Sequence, residues 1–197
     1  MKKLIVFACL ATTISMTAGV AMADSIKGRI GVTGKLGFIL PADNDADLTH
    51  NKTDVGLTAG AGLIYGLDNH FAAEIGVTQS NFDADNGDFD VTDFSLGGQY
   101  RFTSTNPKLV PYLGAGFNIL ATDYNSNNGG SRDVDTKFGV YASGGVDYFL
   151  LNNMALTAEV RLVVAPDAKI TDGNGNSRGH FDPTSFSTTG GIKFFFN

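Results

Sequence analysis

The segment 183-PTSFSTTGGIKFFFN-197 decides the fold. Taken alternately, Phe186, Thr188, Gly190, Ile192, Phe194 and Phe196 fall on one face, and Ser187, Thr189, Gly191, Lys193 and Phe195 on the other. A period of two is the period of a β-strand. The aromatics of its apolar face sit where a soluble domain usually ends in a frayed polar tail, and a lipid-facing strand accounts for them better. In hydrocarbon no strand edge can stay unpaired, so the rest of the chain has to curl round and meet this strand with its first one. The competing reading is an edge strand of a soluble sandwich, which also alternates.

The opposite end of the chain separates the two readings. Residues 1–23 carry Lys2 and Lys3, an apolar run from Leu4, and Ala21-Met22-Ala23 before Asp24. This is the pattern of a secretory signal peptide with a small-residue cleavage site. The run is interrupted by Thr12, Thr13, Ser15 and Thr17 and is too short and polar for a membrane anchor; Cys9 lies too early for a lipoprotein site. The expected domains are therefore a removed signal, 1–23, and a barrel, 24–197, of about 174 residues. Cys9, the one cysteine, leaves with the signal, so neither disulfides nor a cysteine-based metal site is available. Formal charge is −6, and becomes −8 with the two positive charges of Lys2 and Lys3 removed. Such an acidic chain offers nothing to nucleic acid.

Eight alternating segments follow: Ile26–Leu40, Val55–Leu67, His70–Phe82, Val91–Thr103, Leu109–Tyr124, Thr136–Phe149, Met154–Ile170 and Pro183–Asn197. Short turns at Asp68-Asn69, Ser104 to Lys108 and Asn152-Asn153 alternate with long polar connections, Pro41 to Asp54, the acidic NFDADNGDFD, Asn125 to Asp135 and Thr171 to Asp182. Export, strands longer than the roughly 9–11 residues a tilted span needs, and short periplasmic turns opposite long loops predict an all-β, eight-stranded antiparallel transmembrane up-and-down barrel in the Gram-negative outer membrane.

VPYLGAGFN at 110–118, GGVDYFLLNNMALTAEVRL at 144–162 and FDPTSFSTTGGIKFFF at 181–196 resemble stretches of the outer membrane protein W family, and GVTGKLGFILPADND resembles that family's first strand and its proline-ended exit. The resemblance implies an eight-stranded barrel associated with passage of small hydrophobic molecules across the outer membrane. One departure is Asn197, which follows the final aromatic Phe196.

An eight-stranded barrel leaves an interior just wide enough for side chains to fill. Strand direction places inward Lys27, Arg29, Glu74, Arg101, Asp147 and Lys193 in the periplasmic half, with Glu159 and Arg161 near the middle. Opposite charges in so small a volume must pair, giving a lumen plug. Inward residues of the outer half, Ile39, Gly56, Thr58, Gly60, Leu120 and Val163, are small or apolar and predict an open vestibule. An apolar vestibule over a charged plug blocks ions but admits a greasy molecule that leaves sideways. The competing reading makes these charges purely stabilising and the barrel an anchor or adhesin, showing acidic loops to lipopolysaccharide-bound cations or host surfaces. Phe194 and Phe196 form the expected signal to the barrel assembly machinery.

No metal, cofactor or catalytic site is expected. Asp43, Asp45, Asp47 and Asp54 partly echo a calcium loop, but Leu48 stands for its glycine and Asp54 for its final glutamate. Those aspartates, and Asp83, Asp85, Asp88 and Asp90, read as solvated turn residues. Ser177, His180 and Asp182 share one loop without a nucleophile elbow, and His50 and His70 are the other two histidines.

Overall fold

Alternation of apolar and polar residues builds thirteen strands among the described residues. In chain order they are β1 (Ile30–Pro41), β2 (Asn44–Ala46), β3 (Thr49–Asn51), β4 (Gly56–Gly66), β5 (Phe71–Ala84), β6 (Gly87–Arg101), β7 (Leu109–Ser126), β8 (Ser131–Val134), β9 (Lys137–Leu151), β10 (Met154–Val164), β11 (Ala168–Thr171), β12 (Ser177–Phe181) and β13 (Ser185–Phe196). The computed structural model describes residues 26–42, 44–46, 49–51, 55–84, 87–102, 104–126, 131–134, 136–171 and 177–196. The expected signal peptide, 1–23, and Asp43, Asp47, Asp54, Asp85 and Asn197 lie outside the described residues, as do the side chains of Asp45, His50, Asp83, Asp88, Ser177 and His180.

Eight long strands close on themselves. β1 pairs with β4 on one side and β13 on the other, and the circuit runs β1-β4-β5-β6-β7-β9-β10-β13, antiparallel throughout. The closing register runs from Ile30 against Phe196 to Pro41 against Ser185, so the final strand covers the edge the first would otherwise expose. None of the described residues forms a helix.

Which face is apolar excludes the soluble alternative. Leu36, Phe117 and Phe138 point outward at 70, 70 and 73 % exposure, while Asp147 and Lys193 point inward at 0 %. Charges inside and hydrocarbon outside are the pattern of a chain solvated by lipid. Tyr65, Phe71, Tyr100, Phe102, Tyr148 and Phe196 ring the short-turn end, with Tyr100 edge-on to both Phe71 and Phe102 at 5.1 and 4.9 Å.

Three elements differ from the sequence expectation. The first strand begins at Ile30 rather than Ile26, because Gly28 adopts φ +73°, a conformation that costs any residue with a Cβ. Gly28 N–H donates to the Gly66 carbonyl (2.7 Å) and Arg29 N–H to that of Ile26 (2.9 Å), folding Ile26 under the short-turn end. The acidic segment NFDADNGDFD is no open loop: β5 and β6 keep pairing out to Ala84 against Gly87, and β7 extends alongside to Ser126. The other long connections also carry strands, and β3-β2-β12-β11-β8-β7 form one sheet rising beyond the barrel mouth. Backbone donors that leave the barrel ladder must still be paired, and neighbouring loops provide the partners.

Candidate functional site

The lumen is built in layers, since each inward residue's height is fixed by strand register. At the short-turn end an apolar seal gathers Ile26, Ile64, Ala72, Val110, Phe149, Ala155 and Phe195. Phe149 stacks on Phe195 with centroids 5.8 Å apart, and the Arg29 guanidinium lies 5.4 Å from the Phe195 ring centroid while Nη1 donates to the Asn152 carbonyl (2.8 Å).

Above the seal Asp147 accepts from Arg101 Nη1 (2.8 Å) and Lys193 Nζ (3.1 Å). Lys193 is fully enclosed, with its Nζ also 4.3 Å from the Tyr112 ring centroid. Tyr112 ties this trio to the next layer, its hydroxyl donating to Glu159 Oε2 at 3.0 Å. There Lys35 Nζ bridges Glu74 (3.2 Å) and Glu159 (3.1 Å), and Gln99 donates to the other Glu74 oxygen. Arg161 Nε pairs with Glu159 (3.3 Å), its guanidinium 4.3 Å over Tyr141. The tyrosines cross the lumen flat against backbone, Tyr112 on Gly145 and Tyr141 on Gly97, where a Cβ would collide with the ring. Asp93 faces the same layer; Asn118 Nδ2 donates to both its oxygens at 2.6 Å.

Over this floor lies a cavity of ≈ 50 Å³. Its polar wall includes Thr58, Thr78, Ser80, Asp93, Ser187 and Thr189, and its apolar wall Ile39, Phe82, Val91, Leu120 and Val163. The Thr58 and Ser80 hydroxyls satisfy one another at 2.8 Å. A collar of Ile39, Phe82, Phe89, Val91, Leu120, Tyr141, Val163, Ala165 and Ala168 lines the long-loop side, with Phe82 and Phe89 stacked at 5.5 Å.

The structure brings Glu74, Arg101, Asp147, Glu159, Arg161 and Lys193 together. Two plug assignments need correcting. Lys27 is exposed at the rim, on the far side of the Gly28 turn, and Arg29 makes no ion pair among the described residues but covers Phe195. The vestibule is also narrower than expected. Ile39, Leu120 and Val163 pack in the collar, Gly56 lies under Phe82, and Thr58 and Gly60 wall the cavity, because Phe82 and Phe89 fill the space left to small residues. Both phenylalanines were legible as inward once the alternation is continued past Ser80 and back from Val91. Parity also put Lys35, Gln99, Tyr112 and Tyr141 inward, yet gave no signal that they complete the charged floor. Phe194 and Phe196 face outward, tilted together at 5.7 Å. His70 stacks on Tyr100 at 5.8 Å, away from the lumen. Among the described residues no group of acidic, His or Cys side chains is arranged to hold a metal.

This architecture, a closed barrel with a lipid-facing exterior and a charged lumen, defines a class that comparison identifies directly. The model of the outer membrane protein beta-barrel domain family matches residues 7–194, so the chain belongs to that family and is an outer-membrane barrel. Its fold is similar to that of OprG from Pseudomonas aeruginosa (TM-score 0.71, 17 % identity, 90 % of this chain and 100 % of that one). Neisserial surface protein A (0.65, 18 %, 85 % and 97 %) and AlkL in lipid bilayers (0.62, 18 %, 94 % and 97 %) are similar as well. No curated protein matches the sequence.

Proposed function

We propose that the barrel passes small hydrophobic molecules across the outer membrane, as a member of the outer membrane protein W group within its family. The observation that carries this reading is the cavity walled by the apolar collar and floored by the paired charges. A solute entering from outside meets hydrocarbon-like walls, then a floor whose ions are already matched and which the apolar seal backs. Straight passage is closed, so exit is sideways into the membrane. The wall beside the cavity suits that route: the β10–β13 ladder stops at Val163 against Ser185, and Pro41 and Pro183, which lack N–H donors, line the cavity there. In this reading the partners are outer-membrane lipid and lipopolysaccharide, the barrel assembly machinery and the solutes themselves, and the chain has no catalytic role.

Filling the cavity tests the reading. Ser187→Phe, on its wall, and Thr58→Trp should assemble as heat-modifiable barrels yet take up hydrophobic solutes several-fold more slowly, whereas Asp85→Asn with Asp88→Asn should not alter uptake. The sheet that joins three external connections beyond the barrel mouth favours a second reading, an anchor or adhesin. Uptake indifferent to Ser187→Phe, with surface attachment lost in the aspartate variants, would select it.

A further inference from the structure

The charged side chains that line the cavity are Asp93, Glu159, Lys35 and Arg161, with Glu74 beside them on Lys35. Both cations are committed: Lys35 to Glu74 and Glu159, Arg161 to Glu159 and the Tyr141 ring. Asp93 is different. Its one hydrogen-bond partner among the described residues is the neutral Asn118 amide, itself 1 % exposed, and it forms no ion pair among the described residues while lining the cavity. A carboxylate offers about four lone-pair sites, so an amide nitrogen shared between its two oxygens leaves acceptors unfilled. Around it Thr78, Ser187 and Thr189 add hydroxyls, and the collar above is apolar.

We propose that this cavity is a head-group subsite for amphiphiles carrying a primary ammonium, with Asp93 as the specificity-determining acceptor; the inference rests on the transport reading and adds the substrate class to it. An ammonium supplies an ion-pair partner for Asp93 and up to three donors, for Asp93 and the hydroxyls, while its alkyl tail lies among Ile39, Phe82, Leu120 and Val163. The cavity's ≈ 50 Å³ has room for a head of this size. A carboxylate head meets the opposite situation, since both floor cations are engaged and Asp93 repels it. An alcohol falls between, because it donates without bringing charge. A pure hydrocarbon leaves Asp93 with Asn118 alone when it displaces water from the cavity.

The test compares octylammonium, octanol and octanoate, each titrated at neutral pH into the purified barrel in nanodiscs, so that no detergent competes. Octylammonium should bind about tenfold or more tighter than octanoate, the difference expected of one charge-assisted hydrogen bond, with octanol intermediate. Asp93→Asn, which preserves shape, should erase that ratio and leave octanol binding within about twofold of wild type. Octanoate binding as tightly as octylammonium to the wild type, or a ratio unchanged by Asp93→Asn, overturns the proposal, as does failure of all three to bind. The wild-type comparison decides even if the variant does not fold. Transport is scored separately in proteoliposomes: uptake slowed by Ser187→Phe without head-group preference sinks the subsite alone, and uptake no faster than through protein-free vesicles sinks the transport reading.

Discussion

Asp147→Leu should be the most destabilising single change in the lumen. Asp147 is fully enclosed and is the shared acceptor of Arg101 and Lys193, whose side chains are 3 and 0 % exposed. Removing it leaves two cations in a site that water does not reach. Breaking a buried pair by deleting one partner typically costs ~3–5 kcal/mol, because the remaining charge is uncompensated. Here two charges are stranded, although Lys193 keeps the face of Tyr112, so ~4 kcal/mol is the expected loss. Lys193→Met should cost less, ~1–2 kcal/mol, since Asp147 retains Arg101 at 2.8 Å. The triple change Arg101→Met, Asp147→Leu, Lys193→Met removes every charge of the trio together and should return to within about 1 kcal/mol of wild type. The chain has no Trp, so urea unfolding in lipid vesicles is best followed by circular dichroism and by the mobility shift between folded and unfolded barrel. An Asp147→Leu midpoint corresponding to less than about 1 kcal/mol would refute the argument that the trio is a desolvated unit. A triple variant worse than the single one would refute the pairing logic.

Other changes probe the ends of the strands. Phe194→Asp with Phe196→Asp should lower surface levels, mostly through Phe194, which pairs with Val32 and Met154 deeper in the wall, at ~1–2 kcal/mol; Phe196, opposite Ile30 at the periplasmic rim, should contribute less than about 1 kcal/mol. Normal insertion of the double variant, quantified in outer-membrane fractions, would remove the assembly role given to this strand. Gly28→Ala forces a Cβ into φ +73° and should lower stability by ~1 kcal/mol in the same urea assay, whereas Gly28→Asn should be milder. In the turn between β4 and β5 the N–H groups of His70 and Phe71 donate to Asp68 (both 2.7 Å), holding its carboxyl below the usual carboxylate range. A depressed folded-state value means that this contribution is present above the unfolded carboxyl's titration and is lost as pH falls through the folded one. Asp68→Asn should therefore flatten the loss of thermal stability between pH 5 and pH 2 (roughly the window of a lowered carboxyl), and an unchanged acid profile would count against the turn.

The sequence by itself determined everything that depends on neighbours along the chain. Alternation in Phe186 to Phe196 fixed which side chains face lipid, and the same parity put Glu74, Arg101, Asp147 and Lys193 inward, because pleating assigns faces with a period of two whatever the partner strand is. Parity also carries its own failures. One residue in the left-handed region, Gly28, resets it, so Lys27 lands on the rim. What only the tertiary structure decided is height. Lys35 meets Glu159 across 124 positions of sequence and Arg29 meets Asn152 across 123, contacts set by the stagger accumulated around a closed barrel and by no local pattern. The same stagger sets Asp93 below the Phe82–Phe89 stack and beside committed cations, turning a list of inward residues into a sealed floor, a small cavity and a collar. Strand faces are a property of each segment, whereas the order of layers in the lumen is a property of the closed ring of registers.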